Sequence, residues 1–112
     1  MTNLIERIVD AIIRQEGEPD DALNPGNLRG APWLTNPVID SDGFWVPVSR
    51  AQGVAGMAHV VSLHIAEGNN AAQLIEDWAP NSDGNNTAQY VANVVNWAAI
   101  PNANSPLLDF IL

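Results

Sequence analysis

The chain has 112 residues, enough for one domain with a modest core, and 46% of them are hydrophobic. It has no cysteine, and its four cationic side chains, all arginines, face thirteen carboxylates, giving a formal net charge of −9. This composition excludes disulfide scaffolds, thiolate metal sites and cysteine nucleophiles. It also argues against a nucleic-acid partner, which requires a basic surface.

No stretch approaches the roughly 18 apolar residues of a membrane span, and no basic segment followed by an apolar run marks a secretory signal. We therefore expect a single domain over residues 1–112, synthesised in a cytoplasm, monomeric and without membrane insertion.

The first predicted helix covers about residues 3–16. Ile5, Val9, Ile12 and Glu16 recur on one of its faces at helical spacing. Residues 17–36, rich in Gly, Pro, Asn and Asp, predict an ordered loop.

Two short β-prone runs around Ser-Asp-Gly predict a hairpin over residues 37–48, short because it contains prolines. Apolar periodicity then predicts helices over about 50–67, 70–78 and 86–98, with a last short helix in the tail after Pro101. The expected fold is mainly α, of α+β character, with four to five helices and one short β-hairpin.

Glu16 lies on the apolar face of the first predicted helix and in its last turn. Desolvation and the negative end of the helix dipole both disfavour an ionised carboxylate there. A glutamic acid that keeps its proton can donate it to a leaving group. The alternative is a helix-end carboxylate that points to water.

Asn-Pro-Gly-Asn-Leu-Arg at 24–29 is a second candidate element. The amides of Asn24 and Asn27 could bind sugar hydroxyl and acetamido groups. The alternative is an ordinary turn followed by a structural salt bridge of Arg29.

The segment 78–90 is the third element. One interpretation assigns residues of this segment to a cleft: Trp78, Asp83, Asn86, Thr87 and Tyr90. It also brings the Tyr90 hydroxyl near Glu16. In the other interpretation Asn86 caps the following helix and Tyr90 is a core residue; the two are compatible.

Phe44 and Trp78 are aromatic residues next to these loops, where their rings could stack on the apolar faces of sugars or anchor the core. His59 and His64, five positions apart, do not share a helix face, so we expect neither a metal nor a cofactor.

Ala-Ile-Ile-Arg-Gln-Glu-Gly at 11–17 resembles the catalytic-helix signature of soluble lytic transglycosylases and goose-type lysozymes. Together with the segments 24–29, 43–47 and 78–91, it resembles small lysozyme-like proteins of phages and prophages, also labelled virion structural proteins or peptidoglycan hydrolases. The resemblance covers roughly residues 5–108.

This resemblance implies a small lysozyme-like fold that cleaves the β-1,4 bond between N-acetylmuramic acid and N-acetylglucosamine. Glu16 matches the general acid, and Tyr90 matches the tyrosine that supports it. The chain departs from the pattern at Gly17, where transglycosylases usually carry Ser, and it lacks their Gly-Leu-Met-Gln run.

A hydrolase would also need a second carboxylate. The sequence leaves several candidates open: Asp20, Asp21, Asp40, Asp42 and Asp83. Asp40 or Asp42 on the hairpin resembles the location that lysozymes use, although Asp-Gly is also ordinary turn chemistry. A lytic transglycosylase needs no second carboxylate.

The partners implied are peptidoglycan glycan strands, together with a phage holin or virion proteins that would deliver the chain to the cell wall or carry it in a particle. Two alternatives stay open. One is a non-catalytic virion structural or assembly protein with the same fold, and the other is a hydrolase or binder of chitin-type oligosaccharides.

Overall fold

A computed structural model describes residues 3–111 as a mainly helical body measuring 37 × 30 × 26 Å along its principal axes. Its four α-helices are α1 (Leu4–Glu16), α2 (Arg50–Ala66), α3 (Ala71–Trp78) and α4 (Thr87–Trp97). Two 3₁₀ turns follow α3 and end the described chain: Asn81–Asp83 and Leu107–Phe110. The mainly helical class is confirmed, with helix ends within one residue of those predicted.

Each α-helix begins at a polar side chain that accepts a hydrogen bond from the backbone N–H three residues on. The capping residues are Asn3, Ser49, Asn70 and Asn86. Such caps satisfy an otherwise free donor and stabilise a helix by about 1 kcal/mol. At the other end of α1, Gly17 adopts a left-handed conformation (φ 66°), and its N–H donates to the carbonyl of Ile13. This C-cap fixes where the chain leaves α1.

The core forms where α1 packs against both α2 and α4, and α3 packs against α4. Its largest fully buried side chains come from all four helices and the C-terminal turn: Ile8, Ile12, Met57, Val61, Leu74, Ile75, Val94 and Leu107. Burying one side chain of this size stabilises the fold by about 1.5–3 kcal/mol. The packing of α1 against α4 places Glu16, at the end of α1, beside Tyr90, in the first turn of α4.

The predicted β-hairpin over residues 37–48 is reduced to a single antiparallel bridge between Ile39 and Trp45. No strand longer than an isolated bridge occurs within residues 3–111. The Asp40 side chain explains the short ladder, because its Oδ1 accepts from the N–H of Phe44 and this N–H is then not available to the neighbouring backbone.

The long connection between α1 and α2 is held against α2 by its backbone. The guanidinium nitrogen Nη1 of Arg50 donates to the carbonyl of Ala22 at 2.7 Å. The carbonyl of Leu23 lies so close to Gly53 that a Cβ built there would be 1.8 Å from its oxygen. The loop therefore docks on α2 where a side chain is missing, and this docking positions the residues that follow.

Candidate functional site

Glu16 is the last residue of α1 and lies at the edge of the core. It follows the buried Ile8 and Ile12 at intervals of four along the helix, yet its own side chain is partly exposed. The Glu16 carboxylate therefore lies where the apolar interior meets the surface. This location leaves Glu16 accessible to a ligand and restricts the directions from which water can reach it.

Both oxygens of the Glu16 carboxylate accept hydrogen bonds from side chains. Nδ2 of Asn27 donates to Oε1 at 2.7 Å, and the hydroxyl of Tyr90 donates to Oε2 at 2.8 Å. An amide nitrogen can only donate, whereas a phenol oxygen can also accept. If Glu16 carries a proton on Oε2, the Tyr90 hydroxyl can turn so that its oxygen accepts a hydrogen bond from that O–H group. The same geometry thus accommodates the charged and the neutral form of Glu16.

Tyr90 is almost completely buried, with 3% of its surface exposed. Burial raises the pKa of Tyr90 far above its usual value of 10, and the charge of Glu16 and the hydrogen bond to it raise this pKa further. Tyr90 therefore stays a neutral hydroxyl at neutral and moderately alkaline pH. It acts as a permanent, uncharged partner of Glu16.

Asn27 reaches Glu16 from a backbone conformation that few residues adopt. Its φ is 52°, in the left-handed region, where asparagine is tolerated better than most non-glycine residues. Asn24 stabilises this turn: its Oδ1 accepts from the N–H of Leu28, and its Nδ2 donates to the carbonyls of Leu28 and Trp45, all at 2.9 Å. The amide of Asn27 is therefore held in place by the turn that carries it.

Glu16 lines a surface cleft of about 280 Å³. The cleft is formed by the end of α1, the loop after it, the Phe44 turn and the segment after α3. Its lining residues are Glu16, Glu18, Gly26, Asn27, Arg29, Phe44, Trp78, Ala79, Asp83 and Asn85. Most of these side chains are polar or charged, and Phe44 and Trp78 add two aromatic rings to the wall.

Two aromatic rings of the wall are fixed by their own contacts. The indole Nε1 of Trp78 donates to the carbonyl of Gly26 at 3.0 Å. The guanidinium of Arg29 lies over the Phe44 ring, 4.5 Å from its centre, an interaction worth about 0.5–1 kcal/mol at an exposed site. Both rings are thus oriented before any ligand binds.

A second compartment of about 190 Å³ adjoins the cleft. The two share Asn27, Arg29, Trp78 and Asp83. Its far side contains His64, whose Nε2 lies 3.7 Å from Oδ2 of Asp77. The two compartments therefore adjoin through the four residues that they share.

Six of the candidate residues are brought together in this region: Glu16, Tyr90, Asn27, Phe44, Trp78 and Asp83. Asn24, Asn86 and Thr87 do not line the cleft, because the fold uses their polar groups. Asn24 holds the Asn27 turn, Asn86 caps α4, and the buried Thr87 hydroxyl donates to the carbonyl of Ala79 at 2.6 Å. These three side chains support the walls instead of forming them.

Asp40 and Asp42 also lie outside the cleft lining. Oδ1 of Asp40 accepts from the backbone N–H groups of Asp42 and Phe44, both at 2.9 Å, which is turn chemistry. Asp20 and Asp21 are exposed on the loop and do not line the cleft either. Among the proposed second carboxylates, only Asp83 reaches it.

Sequence reasoning missed Glu18, Arg29 and Asn85 as lining residues. A signal for Glu18 was present in Gly17, because a left-handed residue reverses the chain immediately after the helix. For Arg29 the sequence predicts only a structural salt bridge. Its observed partner is instead the ring of Phe44.

Within residues 3–111, no group of three or more His, Asp or Glu side chains is arranged to hold a metal ion. The same part of the chain has no helix that is long and apolar enough to cross a membrane. The sequence matches no protein-family model and no curated protein, and the structure matches no solved structure.

Proposed function

We propose that this protein is a lysozyme-like glycosidase that cleaves the β-1,4 bond between N-acetylmuramic acid and N-acetylglucosamine, with Glu16 as general acid. One observation carries the proposal. A carboxyl group at the end of a helix is held by Tyr90 and Asn27 at the wall of a cleft lined by aromatic and amide side chains. The sequence motifs that resemble lytic transglycosylases and lysozymes coincide with these residues.

The chemistry required of Glu16 is transfer of a proton to the glycosidic oxygen as its bond to C1 breaks. Asn27 and Tyr90 restrict rotation of the carboxyl group, which reduces the entropy lost on reaching a productive geometry. Because Tyr90 can donate or accept, it can stay bonded to Glu16 before and after the transfer. The site is thus compatible with both halves of an acid–base cycle.

The cleft wall suits an N-acetylated sugar. Phe44 and Trp78 offer apolar rings against which a sugar face can pack. Arg29 and Asn85 offer guanidinium and amide donors for hydroxyl and acetamido oxygens. The two adjoining compartments would accept consecutive sugars of a strand.

The net charge of −9 opposes this proposal at long range, because peptidoglycan is itself anionic. Salt at about 0.15 M screens such repulsion beyond roughly 8 Å, and Arg29 places a positive charge inside the cleft. We therefore expect activity to rise with ionic strength at low salt. Delivery to the wall by a phage holin, or inside a virion, is part of the proposal.

The test is incubation of purified wild-type protein and Glu16→Gln with peptidoglycan sacculi and, separately, with chitin oligomers. Mass spectrometry of the soluble products distinguishes reducing ends from 1,6-anhydro ends. Muropeptides released by the wild type and lost in Glu16→Gln would support the proposal. Cleavage of chitin alone would change the substrate, and no product from any wall type would favour a non-catalytic virion protein.

A further inference from the structure

Glu18 lines the same cleft as Glu16 and shares its hydrogen-bond donor. Nδ2 of Asn27 donates to Oε1 of Glu16 at 2.7 Å and to Oε1 of Glu18 at 3.1 Å. A single amide nitrogen carries two hydrogens, so it can serve both carboxylates. The two acidic side chains are therefore arranged around one fixed point.

Gly17 allows two side chains that are two positions apart in sequence to face the same cleft. In a continuous helix, side chains at i and i+2 do not face each other. The left-handed conformation of Gly17 (φ 66°) ends the helix and reverses the chain. Glu18 consequently turns back toward the cleft, on the same side as Glu16.

The shared nitrogen also limits the distance between the two carboxylates. The accepting oxygens cannot lie farther apart than the two hydrogen bonds laid end to end, about 6 Å. Retaining glycosidases separate their carboxyl groups by about 5–5.5 Å, and inverting ones by about 6.5–9.5 Å. For these two oxygens the limit admits the retaining separation and lies below the inverting one.

We propose that Glu18 is the second carboxylate of the reaction and acts as the nucleophile at C1, so that cleavage is hydrolysis with retention. This inference rests on the proposed function. It assigns the role to a residue other than the aspartates of the Phe44 turn, whose oxygens do not line the cleft.

In the first step Glu16 gives its proton to the glycosidic oxygen. The bond from that oxygen to C1 breaks, its electron pair stays on the departing 4-hydroxyl, and an oxygen of Glu18 forms an ester bond to C1. In the second step water attacks C1 while Glu16 takes one of its protons. The ester bond breaks as water attacks, and its electron pair returns to Glu18. The balance is one water consumed for each bond cleaved.

The test uses a soluble β-1,4-linked tetrasaccharide of N-acetylglucosamine and N-acetylmuramic acid with four proteins: wild type, Glu18→Gln, Glu18→Ala and Glu76→Gln. Glu76 is an exposed glutamate of α3 outside the cleft lining and gives the matched control. We expect Glu18→Gln to lose about 100-fold or more in kcat and Glu76→Gln to keep wild-type kcat. Proton NMR should show the β-anomer as the first product of the wild type.

Azide provides a readout that a structural role would not produce. Azide can attack C1 from the face vacated by Glu18→Ala while Glu16 still protonates the leaving oxygen, which yields an α-glycosyl azide. Recovery of that product supports the nucleophile. The inference is overturned if Glu18→Gln retains activity within about threefold, if the first product is the α-anomer, or if the wild type releases 1,6-anhydro sugars.

The two proposals fail in different ways. If wild-type protein cleaves the substrate and Glu16→Gln does not, while Glu18→Gln is fully active, the proposed function stands and the role of Glu18 falls. If wild-type protein cleaves neither the tetrasaccharide nor sacculi, both fall together.

Discussion

Tyr90 in the first turn of α4 donates its hydroxyl to Oε2 of Glu16 at the end of α1, although 74 positions separate the two residues. The contact joins the two helices at the cleft, and a second side-chain bond, from Asn93 Nδ2 to Gln15 Oε1 at 2.7 Å, joins them nearby. The orientation of the proposed acid therefore depends on how α1 packs against α4.

Tyr90→Phe removes the donor to Glu16 and keeps the buried ring. We expect kcat on peptidoglycan to fall about tenfold with little change in KM, because the acid loses its orientation but the sugar contacts remain. The free energy of unfolding should fall by about 1 kcal/mol, measurable by urea titration.

Asn93→Ala is the matched control for this variant, since it deletes the neighbouring bond between α1 and α4 without touching Glu16. It should lower stability by a similar amount and leave kcat unchanged. An equal loss of kcat in both variants would show that helix packing, and not the hydroxyl, supports activity.

The alkaline stability of the protein should be controlled by Tyr90. Its folded pKa is raised above the unfolded value of 10, so the stability it contributes is complete below pH 10 and is lost as the pH rises above that value. Above pH 10 the unfolded chain binds fewer protons than the folded one, and the free energy of unfolding should fall by about 1.4 kcal/mol per pH unit.

This titration is unusually clean, because the chain has one tyrosine and neither lysine nor cysteine. Phenolate absorbance should appear only together with the loss of circular dichroism, and Tyr90→Phe should remove the added pH dependence. Reversible ionisation near pH 10 in a protein with native dichroism would contradict a buried, hydrogen-bonded Tyr90.

Asn27→Ala and Asn27→Gly separate the amide of Asn27 from its backbone. Both variants delete the donor to Glu16 and Glu18, so both should lose activity by about tenfold or more. Glycine adopts φ 52° without steric cost and alanine adopts it at a cost, so Asn27→Gly should be more stable than Asn27→Ala by about 1 kcal/mol. If activity followed stability across the pair, the amide would have no role of its own.

Gly53→Ala tests the docking of the first long loop on α2. A Cβ at this position would lie 1.8 Å from the backbone oxygen of Leu23, so we expect a loss of about 1–3 kcal/mol in the free energy of unfolding. Gly30→Ala is the control, because nothing lies within 4 Å of its Cβ position. Equal stability of the two variants in urea would contradict the close approach.

The helices could be predicted from sequence because caps and apolar spacing agree along each of them. The contact between Glu16 and Tyr90 could also be anticipated, since each ends or begins a helix on its apolar face. The sequence makes Asn24 a candidate for ligand binding because an asparagine amide serves a sugar and a backbone carbonyl equally well. Which one it binds is decided by the distant Trp45.

The direction of Glu18 was not predictable from spacing alone, because it depends on the left-handed turn at Gly17. The hairpin was overestimated for a related reason. The Asp40 side chain takes the N–H groups of Asp42 and Phe44, so local turn bonds replace the ladder that alternating β-prone residues had indicated.

The most direct test of the central claim is the initial rate at which soluble muropeptides leave purified sacculi. It should be measured for wild-type protein, Glu16→Gln and the exposed control Glu76→Gln at equal folded concentrations. We expect wild type and Glu76→Gln to release fragments at the same rate and Glu16→Gln to be slower by about 10²-fold or more. Release by Glu16→Gln at the wild-type rate would contradict the assignment of Glu16 as the acid.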